Sequence, residues 1–229
     1  MILRSIKSRL LLSLTVFVAL SLGVSGFALD RSFRNSVETA LQQKLKANFY
    51  SLLAVADAEK GELMMPELLP DPLFNRIESG LYAIIKNQLD EELWRSPSAI
   101  TLSSLPTTAA RLGQFRFDGP VSSQKKGYYQ LSYALIWELE NGEERHYHIY
   151  LLQAAQPAMT EIAEFRSSLW RWFGAIGIIL LFIQGSIMHW GLKPLRKLAS
   201  DLQAIENGQQ EQLTDNYPSE LQNDTQNLN

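Results

Sequence analysis

Cysteine is absent from all 229 residues, and histidine occurs only three times. The lack of thiols excludes a disulfide framework, thiolate catalysis and cysteine metal sites. The formal net charge is only −3, and there is no basic stripe of the kind that nucleic-acid binding requires. A phosphate-binding glycine loop, a nucleophile elbow and an HExxH helix are also missing from the sequence. We therefore expect no nucleic-acid partner and assign no catalytic residue.

Two long apolar runs stand out against this composition. The first covers residues 10–29 and follows a short basic leader at 1–9. The second covers 169–190, is uncharged from 172 to 189, and is long enough to cross a bilayer core. Tryptophans bracket it, as aromatic belts do at the two headgroup levels, and basic residues follow it at once. By the positive-inside rule, that end is cytoplasmic.

The first run has two interpretations. Gly26-Phe27-Ala28 offers small residues at the spacing of a signal-peptidase site. However, twenty uncharged residues exceed the usual apolar region of a signal peptide, so a retained membrane helix is favoured. With a second span downstream, the sequence predicts a two-pass protein of the lipid bilayer, with residues 30–168 outside and both termini in the cytoplasm.

Residues 30–168 predict an α+β domain. An apolar stripe at intervals of three and four continues the first membrane helix to a glycine stop near Lys60-Gly61. Beyond a proline-rich loop, strands are predicted at 80–85, 92–95, 114–117, 128–139 and 145–153. Asn141-Gly142 is a strong hairpin signal between the last two. The expected architecture is an antiparallel sheet beside a long N-terminal helix.

Residues 191–229 carry a second pattern. A proline follows the membrane, a heptad helix comes next, Gly208 lies in a connector, and a second helix opens with an acid. These marks resemble a HAMP linker, the helical coupling module of bacterial receptors. Asp224 departs from that pattern, because it occupies a core position where a buried carboxylate is costly. The resemblance assigns signal coupling to Pro194, Leu195, Leu198, Leu202, Ile205, Glu220, Leu221 and Leu228.

Short motifs extend the resemblance into the outer domain. They are Asn48-Phe49-Tyr50-Ser51-Leu52, Gly61-Glu62-Leu63, Leu68-Leu69-Pro70 and Glu92-Leu93-Trp94. They are similar to the periplasmic sensor of PhoQ-type sensor histidine kinases. This implies a PAS-like (PDC) fold, a homodimer in the bacterial inner membrane, and a two-component phosphorelay to a response regulator. The alternative is a HAMP-bearing receptor, chemoreceptor-like or cyclase-linked, or a truncated regulator without kinase activity.

The family's phospho-acceptor helix and ATP-binding domain have no counterpart in these 229 residues. The three histidines lie in a predicted strand and at a membrane boundary, and neither context matches a phospho-acceptor. We therefore expect ATP and Mg²⁺ only for a kinase domain beyond this sequence, and no phosphorylation by this chain alone.

Acidic residues are the candidates for a divalent-cation site. The resemblance implies an acidic surface that cations bridge to the anionic membrane, and carboxylate oxygens suit Mg²⁺ and Ca²⁺. A solvated acidic face is the favoured interpretation, because the spacing specifies no octahedral site. Three candidates surround the predicted end of the long helix, and three form a turn. They are Asp57, Glu59, Glu62, Asp90, Glu91 and Glu92.

Polar residues at two further places have open interpretations. Gln184 lies inside the second span, where it either contacts another helix of a four-helix dimer or bonds to its own helix. His146 and His148 share one face of a predicted strand. That pair is a proton sensor or half a metal site on one interpretation, and an exposed strand face on the favoured one.

Overall fold

The computed structural model describes residues 6–59, 62–102, 107–123, 126–138 and 142–191. The chain divides into two compact units. The central unit is Leu29–Arg166, and the terminal unit combines Met1–Ala28 with Ser167–Asn229. The predicted HAMP helices fall in 192–229 and lie outside the described residues.

Three helices and seven strands are described. The helices are α1 (Ile6–Val55), α2 (Pro72–Asn75) and α3 (Gln156–Gly191). The strands are β1 (Asp57–Glu59), β2 (Glu62–Met64), β3 (Leu81–Asn87), β4 (Glu92–Arg95), β5 (Phe115–Ser123), β6 (Lys126–Glu138) and β7 (Glu144–Ala154). A single 3₁₀ turn follows β4 at Pro97–Ala99.

Helices α1 and α3 each contain a segment suited to a membrane. Each contains a strongly apolar stretch of at least 18 residues. Only 6% of each stretch is buried in the protein, whereas the core helix of a soluble domain would be mostly buried. Exposed apolar side chains at this density are typical of helices that face lipid. The two predicted spans are therefore confirmed as helices of the required length and composition.

The central unit is built on a five-stranded antiparallel sheet with the order β4-β3-β7-β6-β5. Strand β7 lies in the middle, so that Tyr150 is paired with Ile84 on one side and Ser132 on the other. A separate two-stranded hairpin joins β1 to β2. The α+β prediction is confirmed, and the sheet fits the PAS-like architecture.

The sheet is covered on both faces. Leu45, Phe49 and Leu52 of α1 belong to the main core, together with apolar residues of β3, β6 and β7. The opposite face carries a smaller tyrosine-rich cluster. Burial raises the pKa of its tyrosine hydroxyls above the ordinary value. These are Tyr82, Tyr128 and Tyr150.

Helix α1 ends earlier than the sequence predicts. Its last turn is closed by the bond from the Ala56 amide to the Leu52 carbonyl (3.1 Å), and Asp57 then pairs with Met64. The predicted end near Lys60-Gly61 is therefore wrong, because pairing with β2 supplies the hydrogen bonds that further helical turns would have made. Asp57 and Glu59 consequently lie in a strand, not in the helix.

Strand β5 is longer than predicted and contains a bulge between Asp118 and Val121. Gly119 lies in that bulge. A β-carbon there would collide with the ring of Tyr129. Only glycine allows this close approach of backbone to ring. The neighbouring Pro120 cannot donate to a ladder, which suits an edge strand.

Candidate functional site

The two helices of the terminal unit pack through glycine. Gly26 of α1 is buried, and a β-carbon on it would lie 3.2 Å from the Phe173 ring and 3.3 Å from the Trp170 ring. A β-carbon on Gly177 of α3 would lie 3.6 Å from the Leu22 side chain. Small residues let the backbones of two membrane helices approach each other closely. These contacts define an antiparallel pair within one chain.

Gln184 contributes the polar contact of this pair. The residue is 8% exposed, and its Nε2 donates to the Leu11 carbonyl oxygen of α1 at 3.0 Å. The interpretation that the amide bonds to its own helix is therefore wrong. Ser186, two residues further on, does bond to its own helix, through the Phe182 carbonyl at 2.9 Å. The contact of Gln184 across a dimer stays a prediction, since the observed partner lies in the same chain.

Within the central unit, a second set of contacts holds α1 and α3 together. Arg166 donates from Nε and Nη2 to the two Asp30 oxygens, at 2.8 and 3.0 Å. The Phe33 and Phe165 rings stack with centroids 3.9 Å apart. The hydrogen bond from Arg166 is the main cause that lowers the pKa of the Asp30 carboxyl. We call these four residues the helix clamp.

The helix clamp is missing from the sequence predictions. Its polar members are separated by 136 residues in the chain, and no local pattern links them. One signal was available: Asp30 is the first charged residue after the first apolar run, and Arg166 lies shortly before the second. Charges at the ends of two antiparallel spans come to the same level, so opposite signs there predict a pair.

The six acidic candidates lie in two separate hairpins. In the turn between β3 and β4, Asp90 accepts from Lys86 Nζ at 2.9 Å, and the Glu91 carboxylate accepts from the side-chain Nδ2 of Asn87 at 2.7 Å. Glu92 pairs with Arg95. The other three lie in the β1–β2 hairpin, where Glu59 and Glu62 are register partners.

These acidic residues do not converge. Within the residues that the structure describes, no group of three or more potential ligands could hold a metal ion. The three carboxylates of the β3–β4 turn already have partners in the protein, which favours a solvated and paired acidic surface. A cation at the β1–β2 hairpin stays an untested prediction.

His146 and His148 are half-buried on β7, whereas the sequence interpretation favoured an exposed face. His148 stacks on Tyr150 with ring centroids 6.4 Å apart, and its register partner on β3 is Lys86. Its Nδ1 is buried without a hydrogen-bond partner in the described part of the chain. A lysine next to this histidine disfavours a bound cation at the same place.

Comparison with known proteins shows similarity over nearly the whole chain. Residues 192–229 match the family model described as "Sensor protein PhoQ-like, HAMP domain". Over 228 residues, 99% of this chain, the sequence is 31% identical to the two-component sensor PhoQ of Pseudomonas aeruginosa. The chain is therefore similar to a PhoQ sensor over nearly its whole length. It spans 50% of the length of that relative, and no solved structure matches it.

The similarity to a PhoQ sensor bears on several predictions. It supports a HAMP segment at residues 192–229 and, together with the two apolar helices, an inner-membrane protein with two spans. The coupling residues from Pro194 to Leu228 lie in the matched segment but outside the described residues, so their individual roles stay predictions.

Proposed function

We propose that this chain acts as a parallel homodimer that senses a signal in the periplasm and transmits it to a histidine kinase. In this proposal the central unit is periplasmic, and both termini are cytoplasmic. The HAMP segment takes up the movement of α3. A kinase part beyond these 229 residues uses ATP and Mg²⁺ for autophosphorylation and transfers the phosphoryl group to a response regulator.

The continuity of two helices supports this proposal. Helix α1 runs unbroken through Ile6–Val55, and α3 through Gln156–Gly191, so each belongs to both units. Within the central unit the helix clamp joins them, and within the terminal unit Gln184 joins them. Because an α-helix is held by hydrogen bonds along its whole length, displacement of one end carries to the other. A signal would then act by shifting the equilibrium between two packings of the helices.

A kinase as the signalling part is favoured over the signalling part of a chemoreceptor or a cyclase-linked receptor. The likeness to a PhoQ sensor extends over 99% of the chain and is not confined to the HAMP segment. A HAMP segment alone would fit all three receptor classes. The role that we propose for Gln184, Pro194, Leu195, Leu198 and Leu202 is to carry the packing change, together with Ile205, Glu220, Leu221 and Leu228.

The topology can be tested with single cysteines, because the chain has none of its own. Gln88→Cys places a thiol in the exposed β3–β4 turn, and Gln209→Cys places one in the segment that follows the second span. A membrane-impermeant maleimide added to spheroplasts should label Gln88→Cys at once and Gln209→Cys only after lysis. The reverse labelling pattern would contradict a periplasmic central unit.

Signal transmission can be tested in a chimaera. Residues 1–229 are joined to the half of the P. aeruginosa relative that this chain does not match, and autophosphorylation is measured in membranes. Asp30→Arg and Arg166→Asp should each change the output, because each breaks the helix clamp and creates a like-charge pair. The double swap should restore it, since the pair is rebuilt with reversed charges.

The matched control is the Glu92–Arg95 pair of β4, which also joins two charged side chains but belongs to neither long helix. Swapping it should leave the output unchanged. If single swaps of the helix clamp leave the output unchanged in protein that reaches the membrane, the clamp does not transmit. If the chimaera shows no autophosphorylation at all, the kinase assignment fails.

A divalent cation at the acidic surface is a separate proposal. It concerns the β1–β2 hairpin, with Asp57, Glu59 and Glu62, because the strand register brings Glu59 and Glu62 opposite each other. Two neighbouring carboxylates repel each other, and a divalent cation relieves that repulsion. Titrating the protein with Mg²⁺ and following backbone amide shifts tests this site. Shifts confined to the hairpin would support it, and the absence of shifts at millimolar Mg²⁺ would remove the idea.

A further inference from the structure

A groove of about 400 Å³ lies inside the central unit, between α1, the end of β7 and the first two turns of α3. Its walls are mainly apolar, with Phe33, Val37 and Leu41 on α1 and Pro157 on α3. The volume falls within the range of small-molecule sites, which combine apolar walls with a few polar groups. All its lining residues belong to the central unit.

Three polar groups of this groove are available to an occupant. Lys44 of α1 and Glu161 of α3 line it, and neither forms a salt bridge among the residues that the structure describes. Gln153 of β7 also lines it, and its Oε1 is buried without a hydrogen-bond donor in the same described set. A buried acceptor without a donor is uncommon in folded proteins and calls for a ligand or water.

The two charges are separated along the groove. Phe33 stacks on Phe165, so these two residues lie at the same height along α1 and α3. Glu161 precedes Phe165 by about one helical turn, towards the end of α3 that follows β7. Glu161 is therefore about seven residues from Lys44 along the axis of α1, or about 10 Å at 1.5 Å per residue. An occupant that satisfies both charges must carry a cation and an anion at this separation.

We propose that the groove binds a short apolar peptide with free termini, about three residues long. An extended tripeptide spans roughly 10 Å, which matches the separation of the charges. Its ammonium group pairs with Glu161, its carboxylate pairs with Lys44, and a peptide N–H donates to Gln153 Oε1. Its apolar side chains lie against the α1 and α3 walls. A purely apolar ligand would leave the buried Gln153 oxygen without a donor and make no use of the two exposed charges.

Binding at this groove stands independently of the kinase, whereas any effect on signalling rests on the proposed function. The groove lies between α1 and α3 next to the helix clamp, so we expect an occupant to affect the spacing of these two helices within the central unit. Ligand binding and kinase output can therefore be measured separately, and failure of one does not imply failure of the other.

The test uses the full chain in nanodiscs and the tripeptide Leu-Ala-Leu as the probe. Isothermal titration calorimetry compares three forms of the probe: free termini, acetylated amino terminus and amidated carboxyl terminus. The free form should bind, and each blocked form should bind about tenfold more weakly, because each loses one charge-assisted hydrogen bond. Glu161→Gln should become insensitive to acetylation, and Lys44→Gln insensitive to amidation.

Matched controls are Arg31→Gln on α1 and Glu164→Gln on α3. Both residues are exposed charges of the same helices, and neither lines the groove. Both variants should bind all three forms as the parent chain does. Equal binding of free and blocked forms, or no binding of the free form at millimolar concentration, overturns the proposal. It is also overturned if Lys44→Gln and Glu161→Gln change the oligomeric state, since the groove is then an interface between copies.

Discussion

Replacing Gln184 by leucine should loosen the helix pair of the terminal unit. The variant keeps a side chain of similar size and removes the bond from Nε2 to the Leu11 carbonyl, which measures 3.0 Å. Measured side-chain hydrogen bonds between membrane helices contribute about 0.6 kcal/mol on average and about 1.7 kcal/mol at most. These energies shift an equilibrium between close and separated helices about threefold and about 18-fold, respectively.

The population change that follows is measurable. If about one molecule in twenty has separated helices in the parent chain, the variant should have about 13% to about 48% of such molecules. Electron–electron double resonance between spin labels on Val16 and Phe182 would report this change as a second distance. Both side chains are exposed, so labels there do not disturb the packing. Excess unlabelled chain isolates distances within one molecule.

Ser186→Ala is the matched control for this measurement. Its hydroxyl is also polar and in the same helix, but it donates to the Phe182 carbonyl of its own helix. The control should leave the distance distribution as it is. An unchanged or narrower distribution in Gln184→Leu would refute the reasoning, because the amide would then contribute nothing to holding the two helices together.

Three further predictions concern other parts of the structure. Gly26→Leu should separate the same helices more strongly than Gln184→Leu, since its side chain would enter the space of two aromatic rings, and the same spin labels would show it. Gly119→Ala should destabilise the central unit by about 1–3 kcal/mol through overpacking. Gly127→Ala should not, because a β-carbon there would make only ordinary contacts at 3.5 Å, and chemical unfolding compares the two variants. The pKa of Asp30 is lowered, so its pairing with Arg166 contributes stability above the unfolded pKa and loses it as the pH falls through the lower folded pKa. A double-mutant cycle on unfolding should therefore give the same coupling at about pH 7.5 and about pH 5.5, both above the unfolded pKa.

Local patterns in the sequence predicted most of the elements. The two hairpins that the sequence predicts, β3–β4 and β6–β7, are present, whereas the hairpin of β5 with β6 was not predicted. The pairing of β3 with β7 was not predicted. That contact joins strands that are far apart in the chain, and a pattern within each strand does not specify a distant partner.

The errors have the same physical origin. The apolar stripe of α1 continues past Val55, but tertiary pairing of Asp57 with Met64 ends the helix. The sequence identified Gln184 as an important polar residue, and its partner on α1 became clear only from the structure. The face of a helix or strand on which a residue lies follows from the periodicity of the sequence, whereas contacts between elements depend on how the whole chain packs.

Because α1 is a continuous helix of 50 residues, it also fixes the angle between the side chains at its two ends. Each residue of an α-helix turns the chain by about 100°, so an inserted residue rotates everything beyond it. One alanine added between the membrane segment and the sheet would put the two ends of α1 out of phase. Seven alanines, close to two full turns, would bring them nearly back into phase. In the chimaera described above, autophosphorylation should therefore rise and fall with the number of inserted residues, with a period of about 3.6 residues.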